Sequence, residues 1–459
     1  MVRLIILPTP LGGAICKTLY IELSSVLNTP LIFGYDVGKS VEYAEVDVDP
    51  SILGKGILKV LSKYDQHISE LPRIPVILIG APGTDMYVMK KRLGISPSKP
   101  YKSSVPLELF KIVNSKYKNL SSELSIYDVI LAKNSLTFKL GGNIPAPAII
   151  ESEVFYELGR YGGIKDLVPS GPPRRGKVSI TLGPTSYASL LLTILAYQVS
   201  AEDPYYLFLT IDYPLVKTIH PSIARVMIEL RDRLVRYIKG LNIGVYAEDF
   251  DSLRLALLYK TYHLVKRHYE NFKELLDASY VFHLLMSTGR KFVKTLEYTI
   301  ELNSVNVLDN AFRVLGINKA EALNLSKTLA DTLLALIRAS KSAQVIASMP
   351  VIERVKIYIR NLALSILEAN IDPILDNIYL ILRTLREEDF RNMLYGNLRN
   401  VVNVNIDTES EITGKGIEEI LQDLASEEGI VVRSKEEYVK ELAAKRLRSF
   451  IDVIEKFIR

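Results

Sequence analysis

Small-residue turns are where this chain first suggests chemistry. Thr9-Pro10-Leu11-Gly12-Gly13, Gly80-Ala81-Pro82-Gly83-Thr84 and Leu182-Gly183-Pro184-Thr185-Ser186-Tyr187 each follow an apolar run and precede a helical pattern. At such a turn the backbone N–H groups converge at a helix N-terminus, where a phosphate or ribose edge fits. Thr9, Thr84, Thr185 and Ser186 add hydroxyls to these turns. Glycine and proline are equally what a tight turn needs for backbone reasons alone. The functional reading gains weight from convergence, because loops at the C-terminal ends of parallel strands emerge along one edge of a sheet.

Other chemistries are poorly supplied. The histidines, His67, His220, His263, His268 and His283, are scattered, and no pair has the spacing of a zinc motif, so no metal site is expected. Cys16 is the only cysteine, which excludes an internal disulfide framework and a thiolate-rich metal centre and points to the cytoplasm. Phosphate-loop, nucleophile-elbow and kinase signatures are missing. Arg174, Arg175 and Lys177 precede the strand at 177 and so belong at its opposite end, as a solvated basic turn or a partner contact. Arg391-Asn392 could bind an RNA phosphate or simply be helix surface, and Arg360-Asn361 repeats the dipeptide in another helix.

The elements that must position these residues divide into two kinds. Strand-like runs at 4–8 and 74–79, IYDVILAK and the stretch VSIT alternate with helical patterns, and YYLFLTIDY closes the series. That order predicts a doubly wound, Rossmann-like, mostly parallel sheet over residues 1–215, with 92–125 as a surface excursion and 141–147 as an irregular surface connection. Residues 216–250 read as a linker helix. From 251 to 459 apolar residues recur at three- and four-residue intervals, including ASYVFHLLMSTGRKFVKTLEYTI, which predicts an all-α domain; VVNVNIDTES is expected to add a small hairpin or edge strand.

At 459 residues the chain exceeds one core, and 48% hydrophobic with 24% charged residues is an ordinary globular balance. A net charge of +5 permits a basic patch without requiring one. No apolar run reaches the roughly 20 residues that span a bilayer. Pro8 and Pro10 interrupt the first apolar run, so a strand and loop are expected there in place of a signal peptide.

This layout resembles the CARF-HEPN ancillary proteins of type III CRISPR defence, in the group named for a DxTHG motif. The motif falls on Ser179, Thr181, Leu182 and Gly183, with Thr181 and Gly183 matching, and its Asn-Tyr continuation falls on Thr185 to Tyr187. The resemblance implies a CARF domain binding cyclic oligoadenylate as an activating ligand, without a cofactor, and a HEPN-like helical domain acting on single-stranded RNA. It further implies a homodimer, whose two-fold axis suits a symmetric ring. The RNA-cutting motif of the family, Arg followed by His, places Arg391 and Asn392 but puts Gly396 where the histidine belongs, beside Tyr395. Neither a glycine nor a phenol matches the near-neutral proton acceptor that 2'-OH attack favours. The expectation is thus a sensor, or a metal-independent ribonuclease with an altered site at Arg391, Asn392 and Tyr395. The alternatives are a ring nuclease, in which the first domain itself opens the cyclic nucleotide, and an interaction protein with neither catalysis nor nucleotide.

Overall fold

The computed structural model describes residues 2–37, 41–81, 84–125, 128–132, 135–153, 177–241, 250–289, 291–342, 349–370, 372–431 and 434–456. The chain forms two compact units, Met1–Ile228 with Ala278–Thr299, and Glu229–Asp277 with Ile300–Arg459. The first is mixed α/β and the second helical.

In the first unit β1 (Val2–Ile5) leads into α1 (Pro10–Leu27), then β2 (Leu31–Asp36) and β3 (Val41–Val46). Helices α2 (Pro50–Lys63), α3 (Asp65–Glu70), α4 (Asp85–Lys91) and α5 (Tyr101–Ser125) follow. Next come β4 (Asp128–Ala132), β5 (Ser135–Leu140), β6 (Ile144–Pro145) and α6 (Ala148–Glu153). β7 (Lys177–Leu182) hands over to α7 (Pro184–Tyr197), followed by β8 (Gln198–Glu202), β9 (Tyr205–Asp212) and β10 (Thr218–Ile219). The strands form small mixed sheets in the orders β1-β3-β2-β10, β4-β5-β7-β6 and one built on β8 and β9.

Where a mostly parallel sheet was expected, β5–β7 is the parallel pair among the described ladders. β2 pairs antiparallel with β3, and β4 with β5, because each connection is far shorter than the dozen or so residues a parallel crossover needs. The run 74–79, expected as a buried strand, joins no ladder. Pro75 offers no N–H, and the Ile77 N–H and carbonyl are taken by the Asp85 side chain and the Met86 N–H. Nor is 92–125 a surface excursion: α5 packs on α2 and α7 through Val105, Leu109 and Val113, which are fully buried at four-residue spacing.

Helices α8 (Pro221–Gly240) and α9 (Phe250–His268) precede a strand pair, β11 (Ser279–Ser287) and β12 (Phe292–Glu301), where helix was expected. β11 extends the third sheet by pairing antiparallel with β9, giving the order β12-β11-β9-β8. Aromatic Tyr280 and Phe282 on one face of β11, with β-branched Val281 between them, and a turn through Gly289 at φ +81, favour extended chain over helix. The remaining helices are α10 (Ser304–Val314), α11 (Lys319–Ser342), α12 (Met349–Leu367), α13 (Asp372–Leu385), α14 (Glu388–Thr413), α15 (Ile417–Glu428) and α16 (Lys435–Lys456). The expected hairpin at VVNVNIDTES lies inside α14, whose buried Leu394, Leu398, Val401, Val402 and Ile406 keep helical spacing. α9, α11, α14 and α16 pack together as the core of the second unit.

Candidate functional site

α1 and α7 begin alike. Each has proline in its first turn, no acidic residue there, and an extended N-cap, Thr9 and Gly183 respectively, that makes no side-chain capping bond. Thr9 is 5% exposed and its Oγ1 has no hydrogen-bond partner. Leu11 and Gly12 are buried behind it. The glycine is needed for space: a Cβ at Gly12 would lie 2.4 Å from Thr9 Oγ1 and 3.3 Å from Ile150 Cδ1 on α6. At α7 the Gly183 N–H donates to the Leu140 carbonyl at 2.8 Å, Pro184 is exposed, and Thr185 and Ser186 are buried. Thr181, at the end of β7, also has an unpartnered buried hydroxyl oxygen.

The second small-residue turn behaves differently. Thr84 donates its hydroxyl to the Ala81 carbonyl at 2.7 Å and to that of Ile79, so its side chain is spent within the turn. Gly80 and Ala81 are exposed, and Pro82 and Gly83 lie outside the described residues, as do Arg174 and Arg175. What this turn contributes is Asp85, the first residue of α4. Its buried carboxylate accepts the Ile77 N–H at 2.9 Å, the Ala148 N–H at 3.0 Å and the Tyr187 hydroxyl at 2.8 Å. One carboxylate thereby ties the second turn, the start of α6 and the first turn of α7 together. Because all its bonds are structural, Asp85 is an anchor. Burial pushes its carboxyl pKa up, and its charge together with burial pushes the Tyr187 phenol far above its ordinary value.

α6 begins four residues before the helix expected at SEVFYELGRYGG, and the rest of that pattern, from 154, lies outside the described residues. The Gly141–Pro147 stretch, expected as a surface connection, buries Ile144, Ala146 and Pro147. A Cβ at Gly142 would stand 2.5 Å from the Leu182 carbonyl, so this stretch lies directly against the β7–α7 turn. α1 packs on both α6 and α7. One turn beyond Ala148, Glu151 is pushed up to about 7, first by burial and then by the charge of Asp85. A group that gives and takes protons near neutrality thus sits among the gathered helix starts.

No family model matches the chain, and no curated protein matches it. Chemistry must therefore be read from geometry. Among the described residues no group of His, Cys, Asp and Glu could hold a metal, and no described helix is long and apolar enough to cross a membrane.

In the helical unit, Arg391 and Asn392 are exposed on the first turns of α14. Tyr395 donates its hydroxyl to the Lys440 carbonyl on α16 at 3.2 Å. At Gly396 a Cβ would meet nothing within 4 Å, so the place where a histidine would stand opens on empty space.

Proposed function

We propose that the α/β unit is a Rossmann-like, CARF-type nucleotide sensor that binds cyclic oligoadenylate where α1 and α7 begin, and that the chain serves CRISPR-associated antiviral defence in the cytoplasm. The observation that carries this reading is the pair of acid-free helix starts gathered on α6, with the buried, unpartnered hydroxyls of Thr9 and Thr181 beside them. Helix N-termini attract phosphate by their dipoles. In a homodimer each protomer offers the same surface to half of a ring. The helical unit is HEPN-like, with Arg391 and Asn392 as the contact for single-stranded RNA. Titration with labelled cyclic tetra-adenylate tests the sensor; absence of saturable binding at about micromolar protein defeats it.

Glu151 favours a second reading, a ring nuclease. Its carboxylate would take the ribose 2'-OH proton as O2' attacks the neighbouring phosphorus. The P–O5' bond breaks, and the leaving 5' oxygen takes a proton from water, so a linear strand ending in a 2',3'-cyclic phosphate results. Replacing Glu151 by Gln should then keep ligand binding while slowing ring opening by about 100-fold or more. Equal rates in the two proteins would remove Glu151 from that role.

A further inference from the structure

Inside the helical unit, cations outnumber acids. Lys260 on α9 lies 3.2 Å from Asp331 and 3.0 Å from Asn405 Oδ1. Arg446 on α16, 1% exposed, pairs with Glu428 at the end of α15 and sends its Nε toward Asp331 Oδ2 at 3.7 Å, beyond hydrogen-bond reach. Lys327 and Lys445 also converge on Glu428, at 2.6 and 3.1 Å. Among the described residues, Lys260, Lys327, Lys445 and Arg446 thus share two acids, Asp331 and Glu428, as ion-pair partners, an excess of positive charge in a largely buried setting, where unpaired charge is costly. The neighbouring pair Arg267–Glu427 is already neutral. His263 adds no acid, since its Nδ1 contacts the Leu323 carbonyl at 3.3 Å as a donor.

Two observations show what is missing. Arg446 Nε, 3.7 Å from the equally unpartnered Asp331 Oδ2, and the hydroxyl of fully buried Tyr438 are donors with no acceptor in hydrogen-bond reach. Lys327 is held down at about 8, by burial first and then by Arg446, as expected where positive charge is undercompensated. Lys445, 38% exposed, marks the side open to solvent. Acceptor oxygens carrying negative charge would answer both the charge and the orphan donors.

We propose that this cluster is a binding site for a phosphate group, seated against Lys327, Lys445, Arg446 and Tyr438, where the Glu428 carboxylate now occupies part of the position. The proposal is independent of nucleotide sensing in the other unit. Glu428 competes with the ligand for the same donors, so Glu428→Gln should lose stability in chloride and regain it in phosphate.

Thermal unfolding of the full chain tests this with two probes at matched ionic strength, inorganic phosphate and adenosine monophosphate, each against chloride. Expected are a ligand-dependent rise for wild type, at least about tenfold weaker apparent affinity in Lys327→Met, and tighter apparent affinity in Glu428→Gln. Tyr438→Phe, which keeps the ring, should weaken binding several-fold. A rise with the mononucleotide alone assigns the site to a nucleotide phosphate, and a rise with both to phosphate itself. No rise in wild type, or the same rise in Lys327→Met as a general salt effect would give, overturns the proposal.

Discussion

Asp85 and Glu151 divide one neighbourhood between structure and chemistry. Asp85 satisfies two backbone N–H groups and the Tyr187 hydroxyl, so Asp85→Ala leaves three buried donors unpaired and should lower stability by about 2–4 kcal/mol in denaturant titration. Glu151 is a titrating group. Its folded pKa of about 7 lies above its ordinary 4.5, so the folded chain holds a proton that the unfolded chain releases first. Its contribution is fully present below about 4.5, is lost as pH rises toward 7, and amounts to about 2–3 kcal/mol. Glu151→Gln should therefore match wild type near pH 4 and be the more stable protein at pH 8, as read from unfolding midpoints. A variant destabilised equally at both values would show that the carboxyl is not being forced to keep its proton. Thr9 and Thr185 could be singled out from sequence because a hydroxyl beside Gly or Pro at a strand-to-helix turn is visible in the chain itself. Glu151 could not, because its perturbation comes from Asp85, 66 positions away, and from burial that no local pattern encodes.

At the scale of elements, the handover from β7 to α7 was legible: β-branched residues, a Gly-Pro turn and an apolar run state a strand, a stop and a buried helix in order. The amphipathic helices of the second unit were legible for the same reason. Strand direction was not, because it depends on which partner a strand finds; the short β2–β3 and β4–β5 connections decided it. β11 was misread because apolar residues crowd both of its faces, so neither the two-residue nor the helical period stands out. α14 carries a direct test of its own: Gly396 is in its interior, with nothing near the missing Cβ. Gly396→Ala should raise stability by about 0.5–1 kcal/mol without repacking, measured by thermal or chemical unfolding. A loss instead would mean that the glycine answers a close approach by a neighbour.

For the whole molecule, the two proposals place anion chemistry in both units, nucleotide binding in the α/β unit and phosphate binding in the helical one. In the α/β unit, Pro184 allows binding to be separated from folding. It is exposed at the start of α7, where a glutamate complements the helix dipole and so spares the fold, yet sets a negative charge against any phosphate bound there. The deciding measurement is fluorescence anisotropy with labelled cyclic tetra-adenylate, run on wild type and Pro184→Glu whose unfolding midpoints coincide. If cyclic oligoadenylate binds where α7 begins, wild type shows saturable binding at about micromolar protein or below, and the variant binds at least about tenfold more weakly. No binding by wild type, or equal binding by both proteins, would contradict it.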